Sequence, residues 1–237
     1  MSMSSDRQTP YKAAVIGSTG GIGASVLRRL QDDPDCEIAL GYSRSTTPAV
    51  DYDAPDTLES VAEDIRDKVG ELNLLFIASG ILTSPGETPP EKSFSELTPE
   101  ALTAQFHVNA IGPALVLKAL MPLLPRNGYC RVGLLSARVG SIGDNSMGGW
   151  ISYRASKAAV NQIVHTAAIE LHRRNSDSVC LALQPGTIPT PLSEPYARDR
   201  FTHSPDECAE NLLRVLQETS PDQTGGFYDY AGKEIVW

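Results

Sequence analysis

Positive charge is in short supply in this chain, aromatic side chains are sparse, and cysteines are few and scattered. Only 20 Lys and Arg stand against 29 Asp and Glu, a formal net charge of −9. That balance argues against a nucleic-acid partner, whose backbone is bound chiefly by Lys and Arg neutralising phosphates. It leaves room for a small phosphorylated ligand, which needs only one or two cations placed locally. The four cysteines, Cys36, Cys130, Cys180 and Cys208, form no CxxC and no Cys/His pair at metal-ligand spacing. They read as free thiols of a reducing compartment, and no metal site is expected. Residues 1–10 are polar and lack the apolar core of a signal peptide. No apolar run approaches the roughly 20 residues of a membrane span. The expectation is a cytoplasmic protein with a flexible segment at 1–10 and no membrane partner.

What is present is an ordinary globular composition, 41% hydrophobic and 21% charged over 237 residues, long enough to bury a sizeable core without disulfides. Short apolar runs alternate with longer helical patterns. Strands are expected at 13–16, 37–41, 49–50, 72–77, 131–135, 179–183 and 227–230. Helices are expected at 24–30, 58–69, 99–124 with a break at Gly112–Pro113, 153–172 and 206–217. The strands are apolar throughout rather than alternating, which indicates a mostly parallel sheet covered on both faces. No linker divides the chain, so 11–237 reads as one doubly wound α/β domain. The loops richest in Pro, Gly and Ser are 83–90, 140–149 and 185–205. In such sheets ligands bind at loops following the carboxyl ends of strands.

Gly17, Gly21 and Gly23 space a loop between the first strand and the first helix. Gly17 permits a tight turn, Gly21 lets the main chain approach a pyrophosphate, and Gly23 allows close packing of helix on strand. The helix start then offers unpaired N–H groups and a positive dipole end to phosphate. Further along, Tyr153 and Lys157 stand four residues apart in a helical stretch and share one face. A phenol with a pKa of about 10 is a poor acid–base group at neutral pH, and a nearby ammonium lowers it. The spacing alone is common on solvated helices. Its weight comes from company: the glycine loop, Asn109 in a long helix, Ser136 at a strand end, Tyr153-x-x-x-Lys157, and Pro185-Gly186-x-Ile188-x-Thr190, in that order.

Together these resemble the short-chain dehydrogenase/reductase family over essentially the whole chain. The resemblance implies a single Rossmann-type domain with a substrate loop near 187–205. It implies hydride transfer between a nicotinamide cofactor and a small carbonyl or alcohol. Tyr153 corresponds to the general acid/base and Lys157 to the lysine that tunes it and holds the nicotinamide ribose. Ser136 matches the serine that orients the substrate oxygen, and Asn109 the asparagine that holds a water behind the lysine. Cofactor contacts are implied for Gly17, Thr19, Gly21, Ile22, Gly23, Ser43, Arg44, Asp51, Ser79, Gly80, Tyr153, Lys157, Pro185, Gly186, Ile188 and Thr190. Trp150, beside Tyr153 and Ser136, is a candidate substrate wall. In place of the family's Asn-Asn-Ala-Gly stands Ile77-Ala78-Ser79-Gly80, which removes a bracing asparagine. Gly148-Gly149-Trp150, Arg154-Ala155-Ser156-Lys157 and the final Gly232–Trp237 resemble the C-factor (C-signal) subgroup. The resemblance also implies a homodimer or homotetramer.

The second expected strand ends in Leu40-Gly41-Tyr42-Ser43-Arg44-Ser45, with no acid to bind ribose hydroxyls. Arg44 offers a donor fork suited to a 2′-phosphate, so NADP(H) is expected over NAD(H). Two other readings stay open: an idle dinucleotide-binding sensor or signalling module, and a sugar-nucleotide epimerase or dehydratase. His107 reads as packing and His203 as a loop residue near the substrate mouth.

Overall fold

Six parallel strands form one sheet in the order β2-β1-β3-β4-β5-β6, in a computed structural model that describes residues 10–83, 89–197 and 200–237. Residues 1–9 of the expected N-terminal segment, and parts of the loops 83–90 and 187–205, lie outside the described residues. The strands are β1 (Tyr11–Ile16), β2 (Cys36–Tyr42), β3 (Leu74–Ile77), β4 (Cys130–Leu135), β5 (Ser178–Gln184) and β6 (Phe227–Asp229). Between them run α1 (Gly21–Gln31), α2 (Asp56–Val69), α3 (Pro99–Phe106), α4 (Gly112–Leu120), α5 (Ile151–Arg174), α6 (Glu194–Ala197) and α7 (Pro205–Glu218).

Successive strand residues supply opposite faces, and both faces are buried. Ala14, Ile16, Leu75, Ile77, Val132 and Leu134 join the core under α2, α4 and α5. Ala13, Val15, Leu74, Phe76, Leu181 and Leu183 join the core under α1 and α7. This is why the strands read as unbroken apolar runs. The chain leaves β1 for β2 in one direction and β3 for β4 in the other. The switch point lies between β1 and β3, and the crevice outside their carboxyl ends is where such sheets take ligands.

Two expectations fail for physical reasons. Residues 49–50 are not a strand. Pro48 has no N–H for a ladder, and Val50 donates instead to Ser43 at 2.9 Å, folding the segment back onto the end of β2. β2 is therefore the sheet edge. The break in the long helix falls at His107–Ile111, one π turn, rather than at Gly112–Pro113. Pro113 cannot donate to the carbonyl of Asn109, and Gly112 N–H reaches back five residues to His107. Wide turns of this kind recur at functional sites.

By length and composition, the continuous stretch Pro99–Leu123 is long and apolar enough to cross a membrane, its most apolar 18 residues having a mean hydropathy of 1.3, which the sequence reading did not register. Half of that window is buried inside the protein, and the stretch carries the enclosed Asn109 and Gln105. It is built as a core helix, packed on α2 and α5.

Candidate active site

Three adjoining hollows share walls along the carboxyl ends of the strands. The first, about 370 Å³, lies between the glycine loop, Ser43–Arg44, Asp51 and Ser79–Gly80. The second, about 420 Å³, brings Thr19, Gly21, Ile22 and Gly23 opposite Ser136, Tyr153, Lys157, Pro185 and Thr190. The third, about 400 Å³, opens outward and is walled by Leu82, Val139, Trp150, Tyr196 and Leu192, with Ser136 and Tyr153 at its inner end. Gly186 and Ile188 line this outer hollow together with Ile22 of the glycine loop, and not the second hollow. A larger hollow, about 470 Å³, sits between α4 and α5. It contains neither the glycine loop nor the Tyr153–Lys157 pair, so residue chemistry and not size locates the site.

The glycine loop is shaped by close approach. Gly17 has a φ of +83°, which only glycine adopts freely. A Cβ on Gly23 would stand 2.2 Å from the Gly17 carbonyl oxygen, so Gly23 closes the loop on itself. Gly21 makes room for Thr190, whose methyl would be 2.6 Å from a Cβ. α1 then begins with no side-chain cap and no acid in its first turn. Its leading N–H groups point at the crevice without a competing carboxylate, the arrangement that suits a phosphate. Arg44 lines the first two hollows and makes no hydrogen bond or ion pair with any described residue.

The absent bracing asparagine has a substitute. Tyr52, which the sequence reading passed over, donates its hydroxyl to Ser79 Oγ at 2.6 Å. Burial pushes the Tyr52 phenol up to about 12, so it acts as a donor at working pH. Asn109 completes the brace. Its Oδ1 accepts from Ile81 N–H at 2.8 Å, and its Nδ2 donates to the Ile81 carbonyl at 3.0 Å and Gln105 Oε1 at 2.6 Å. The side chain thus fixes the strand end. The main-chain carbonyl of Asn109 lacks the usual donor four residues on, because that residue is Pro113.

Ser136 follows β4 and anchors to the sheet through its N–H to Leu183 at 2.8 Å. Its hydroxyl donates to Asn161 Oδ1. Tyr153 and Lys157 project from the first turns of α5, both buried. Lys157 Nζ donates to the Leu135 carbonyl at 3.1 Å and stands 5.8 Å from the Tyr153 ring centre. The spacing argument expects the ammonium to lower the phenol, but enclosure dominates here. Burial raises the Tyr153 phenol well above its ordinary value and pulls the Lys157 ammonium down to about 8. Burial thus disfavours the charged form of each.

The start of α5 is held from a distance. Gly148, Gly149 and Trp150 all have positive φ, and Trp150, at +51°, is the only non-glycine to do so among the described residues. Such a conformation persists where surroundings impose it. Glu91 does so: its carbonyl takes the Trp150 N–H, and its carboxylate takes the Ser152 hydroxyl and, at 3.3 Å, the Ser152 N–H. A buried carboxylate thereby caps a helix that has no cap of its own. Trp150 is swung over the outer hollow, edge-on to Tyr153 at 6.2 Å and to Tyr196 at 5.8 Å. His107, expected as packing, stands at the lip of the first hollow, 2.9 Å from Asp53. His203 lies against Tyr230 at 4.5 Å between centroids and does not line the outer hollow. Among the described residues, no group of three or more His, Cys, Asp or Glu gathers as a metal site.

A family model described as short chain dehydrogenase matches residues 43–200, a span that holds Ser136, Tyr153 and Lys157 and leaves the glycine loop outside. A dehydrogenase from Rhodococcus sp., named for 1-hydroxy-2-glutathionyl-2-methyl-3-butene, is 28% identical over 94% of this chain and 98% of its own. The protein C-signal of Myxococcus xanthus is 36% identical over 56% of this chain and 76% of its own. Among solved structures, the carbonyl reductase Sniffer of D. melanogaster superposes with a TM-score of 0.81, at 21% identity, over 97% of this chain and 100% of its own. An NADPH-bound carbonyl reductase from chicken fatty liver reaches the same TM-score at 20% identity, covering 97% and 95%. The matched span, carried on a doubly wound sheet with a glycine loop at its switch point, shows that the chain belongs to the short-chain dehydrogenase family of NAD(P)-dependent oxidoreductases.

Proposed function

We propose that the protein interconverts a small carbonyl compound and its alcohol, using NADP(H) in preference to NAD(H), with Tyr153 as general acid/base. The observation that carries this reading is one cleft in which an uncapped helix N-terminus and an unpaired Arg44 face an enclosed Ser136–Tyr153–Lys157 set. The residues present fit a dinucleotide phosphate. The α1 N–H groups and Thr19 would hold the pyrophosphate, Arg44 and Ser43 the 2′-phosphate, and Asp51 the adenine side. Ser79, Gly80, Pro185 and Thr190 would line the nicotinamide half, with Gly186 and Ile188 behind it. When bound, the nicotinamide supplies or accepts the hydride.

The chain's own part is the proton and the position. Tyr153 gives a proton to the substrate oxygen or takes one from the alcohol. Lys157 stands 5.8 Å from the Tyr153 ring centre, where its ammonium would favour the phenolate as the proton leaves. Asn109 would hold a water behind the lysine. Trp150, Tyr196, Leu82 and Leu192 exclude water and favour an apolar or aromatic substrate. The four unpaired thiols fit a reducing, cytoplasmic setting. The apolar groove of Ala114, Leu117, Met121, Ile163 and Ala167 on α4 and α5 fits a second copy of the chain. The stretch shared with C-signal favours a second reading, an idle signalling module of that subgroup. The enclosed Ser136, Tyr153 and Lys157 favour catalysis.

The test titrates NADPH and NADH against wild type and Arg44→Ala, then follows oxidation of each over aromatic and aliphatic aldehydes and ketones. NADPH is expected to bind about tenfold to a hundredfold more tightly, the worth of a charged hydrogen bond, with the preference lost in the variant. Tighter NADH binding, or an unchanged ratio, rejects Arg44 as the determinant. Turnover of no carbonyl by the wild type selects the signalling module.

A further inference from the structure

Ser136 has one proton and two lone pairs to offer, and the structure directs that proton away from the cleft. Its hydroxyl donates to Asn161 Oδ1, and both residues are 3% exposed. Asn161 lies one turn beyond Lys157 and two beyond Tyr153 on α5, so it shares their face. Which end of its amide meets Ser136 is settled on the far side. Asn161 Nδ2 donates to the Gly140 carbonyl at 3.3 Å, an acceptor that cannot donate. The opposite orientation would set two acceptor oxygens against each other. Gly140 reaches α5 because it has no side chain: a Cβ there would stand 2.8 Å from the Lys157 main chain.

From this chain of bonds we infer that Asn161 is a positioning residue that makes Ser136 a hydrogen-bond acceptor toward the substrate, so that the site holds the alcohol in preference to the carbonyl. The inference rests on the reading above that Ser136 meets the substrate oxygen. An alcohol oxygen accepts from the neutral Tyr153 phenol while its O–H donates to the Ser136 lone pair with the Asn161 bond intact, and that proton turns to Tyr153 only when the phenol is ionised. A carbonyl oxygen can only accept. To bind it, Ser136 must rotate its proton into the cleft and leave Asn161 Oδ1 buried without a partner. An orphaned buried acceptor corresponds to about a tenfold loss of affinity. Carbonyl reduction then relies on the Tyr153 proton alone, and Ser136 contributes placement.

The equilibrium constant of the reaction fixes the ratio of kcat/KM in the two directions, so the readout must be binding. Abortive complexes give it directly, because no hydride can move in them: benzaldehyde on the NADP⁺ complex and benzyl alcohol on the NADPH complex. In Asn161→Leu, which fills similar space but accepts no hydrogen bond, benzaldehyde affinity should rise about tenfold relative to benzyl alcohol. Asn161→Ala, a smaller non-acceptor, should shift the ratio the same way should the leucine variant fail to fold. Asn161→Asp retains an acceptor for Ser136 and should keep the parent ratio. In a Ser136→Ala background, Asn161→Leu should shift nothing, which a merely structural role would not produce. An unchanged ratio in both non-accepting variants, or an equal shift with and without the Ser136 hydroxyl, overturns the inference alone. Unchanged turnover in Ser136→Ala, or binding of neither probe by the parent, overturns the reading beneath it and the inference with it.

Discussion

The two sides of the cleft are made from different materials. On the glycine-loop side, Arg44 apart, the groups that face a ligand's phosphates are main-chain N–H groups at the start of α1, shaped by Gly17 against Gly23 within seven residues. On the Tyr153 side they are side chains, and each is oriented by a partner far away in sequence. Ser136 is tied to Asn161 25 residues on, Asn109 to Ser156 47 on, and Glu91 to Ser152 61 on. A site made of main chain is fixed locally and tolerates little change in volume. A site made of side chains is fixed by tertiary contacts, and its members can be removed singly without moving the backbone. The comparison teaches that binding and chemistry should separate on mutation.

Tyr153→Phe gives the largest expected effect and the sharpest test of that separation. Removing one hydroxyl should lower turnover about 10²- to 10⁴-fold, the range of general acid–base contributions, while NADPH affinity measured by fluorescence titration stays at the wild-type value. A matching loss of affinity would mean that the two sides are one unit. Gly23→Ala probes the other side. The added methyl meets the Gly17 carbonyl and Ala78, so the loop must shift, and NADPH affinity should fall about tenfold to a hundredfold. The rate at saturating cofactor should hold, and a collapse of that rate instead would break the comparison from this end.

Lys157→Met has the smallest expected effect on folding, and its sign is informative. The folded-state pKa of about 8 lies below the ordinary 10.5. Between these values the unfolded chain binds more protons, so the lysine makes stability rise with pH; below about 8 the buried ammonium carries its full penalty. The variant removes that penalty at the price of the bond to Leu135. It should be more stable near neutral pH by about 1 kcal/mol, roughly 2–4 °C in Tm. That advantage should shrink toward pH 10.5. A variant less stable at neutral pH and unaffected by raising it would show that the ammonium is compensated by its surroundings.

What was legible in the sequence follows the same division. The glycine loop and the strands around it could be read because the determinants are neighbours, and because burial on both faces leaves an unbroken apolar run. Tyr153 and Lys157 could be read from a four-residue spacing. Residues 49–50 misled because two apolar residues after Pro48 look like a strand, whereas the Val50 N–H returns to Ser43. Glu91 and Tyr52 were invisible, since nothing near either announces a partner 61 or 27 residues away. Asn161 did carry a signal. It stands four residues beyond Lys157, on the face already identified, and a polar residue there called for a partner.

The six strands pair only in parallel, the one antiparallel bridge among the described residues being the turn-back of Glu234 onto Tyr228, and this has a consequence in time. Every pairing joins strands separated by a helix, from Tyr11 beside Cys36 to Cys130 beside Ser178. Parallel pairings of such separation form slowly, because chain closure precedes any reward from contact. The strands that carry the phosphate side, β1, β2 and β3, are complete by residue 77, before any of β4, β5 or β6 exists. A chain leaving the ribosome from its N-terminus therefore has the parts for a nucleotide-holding half long before the Tyr153 helix is made.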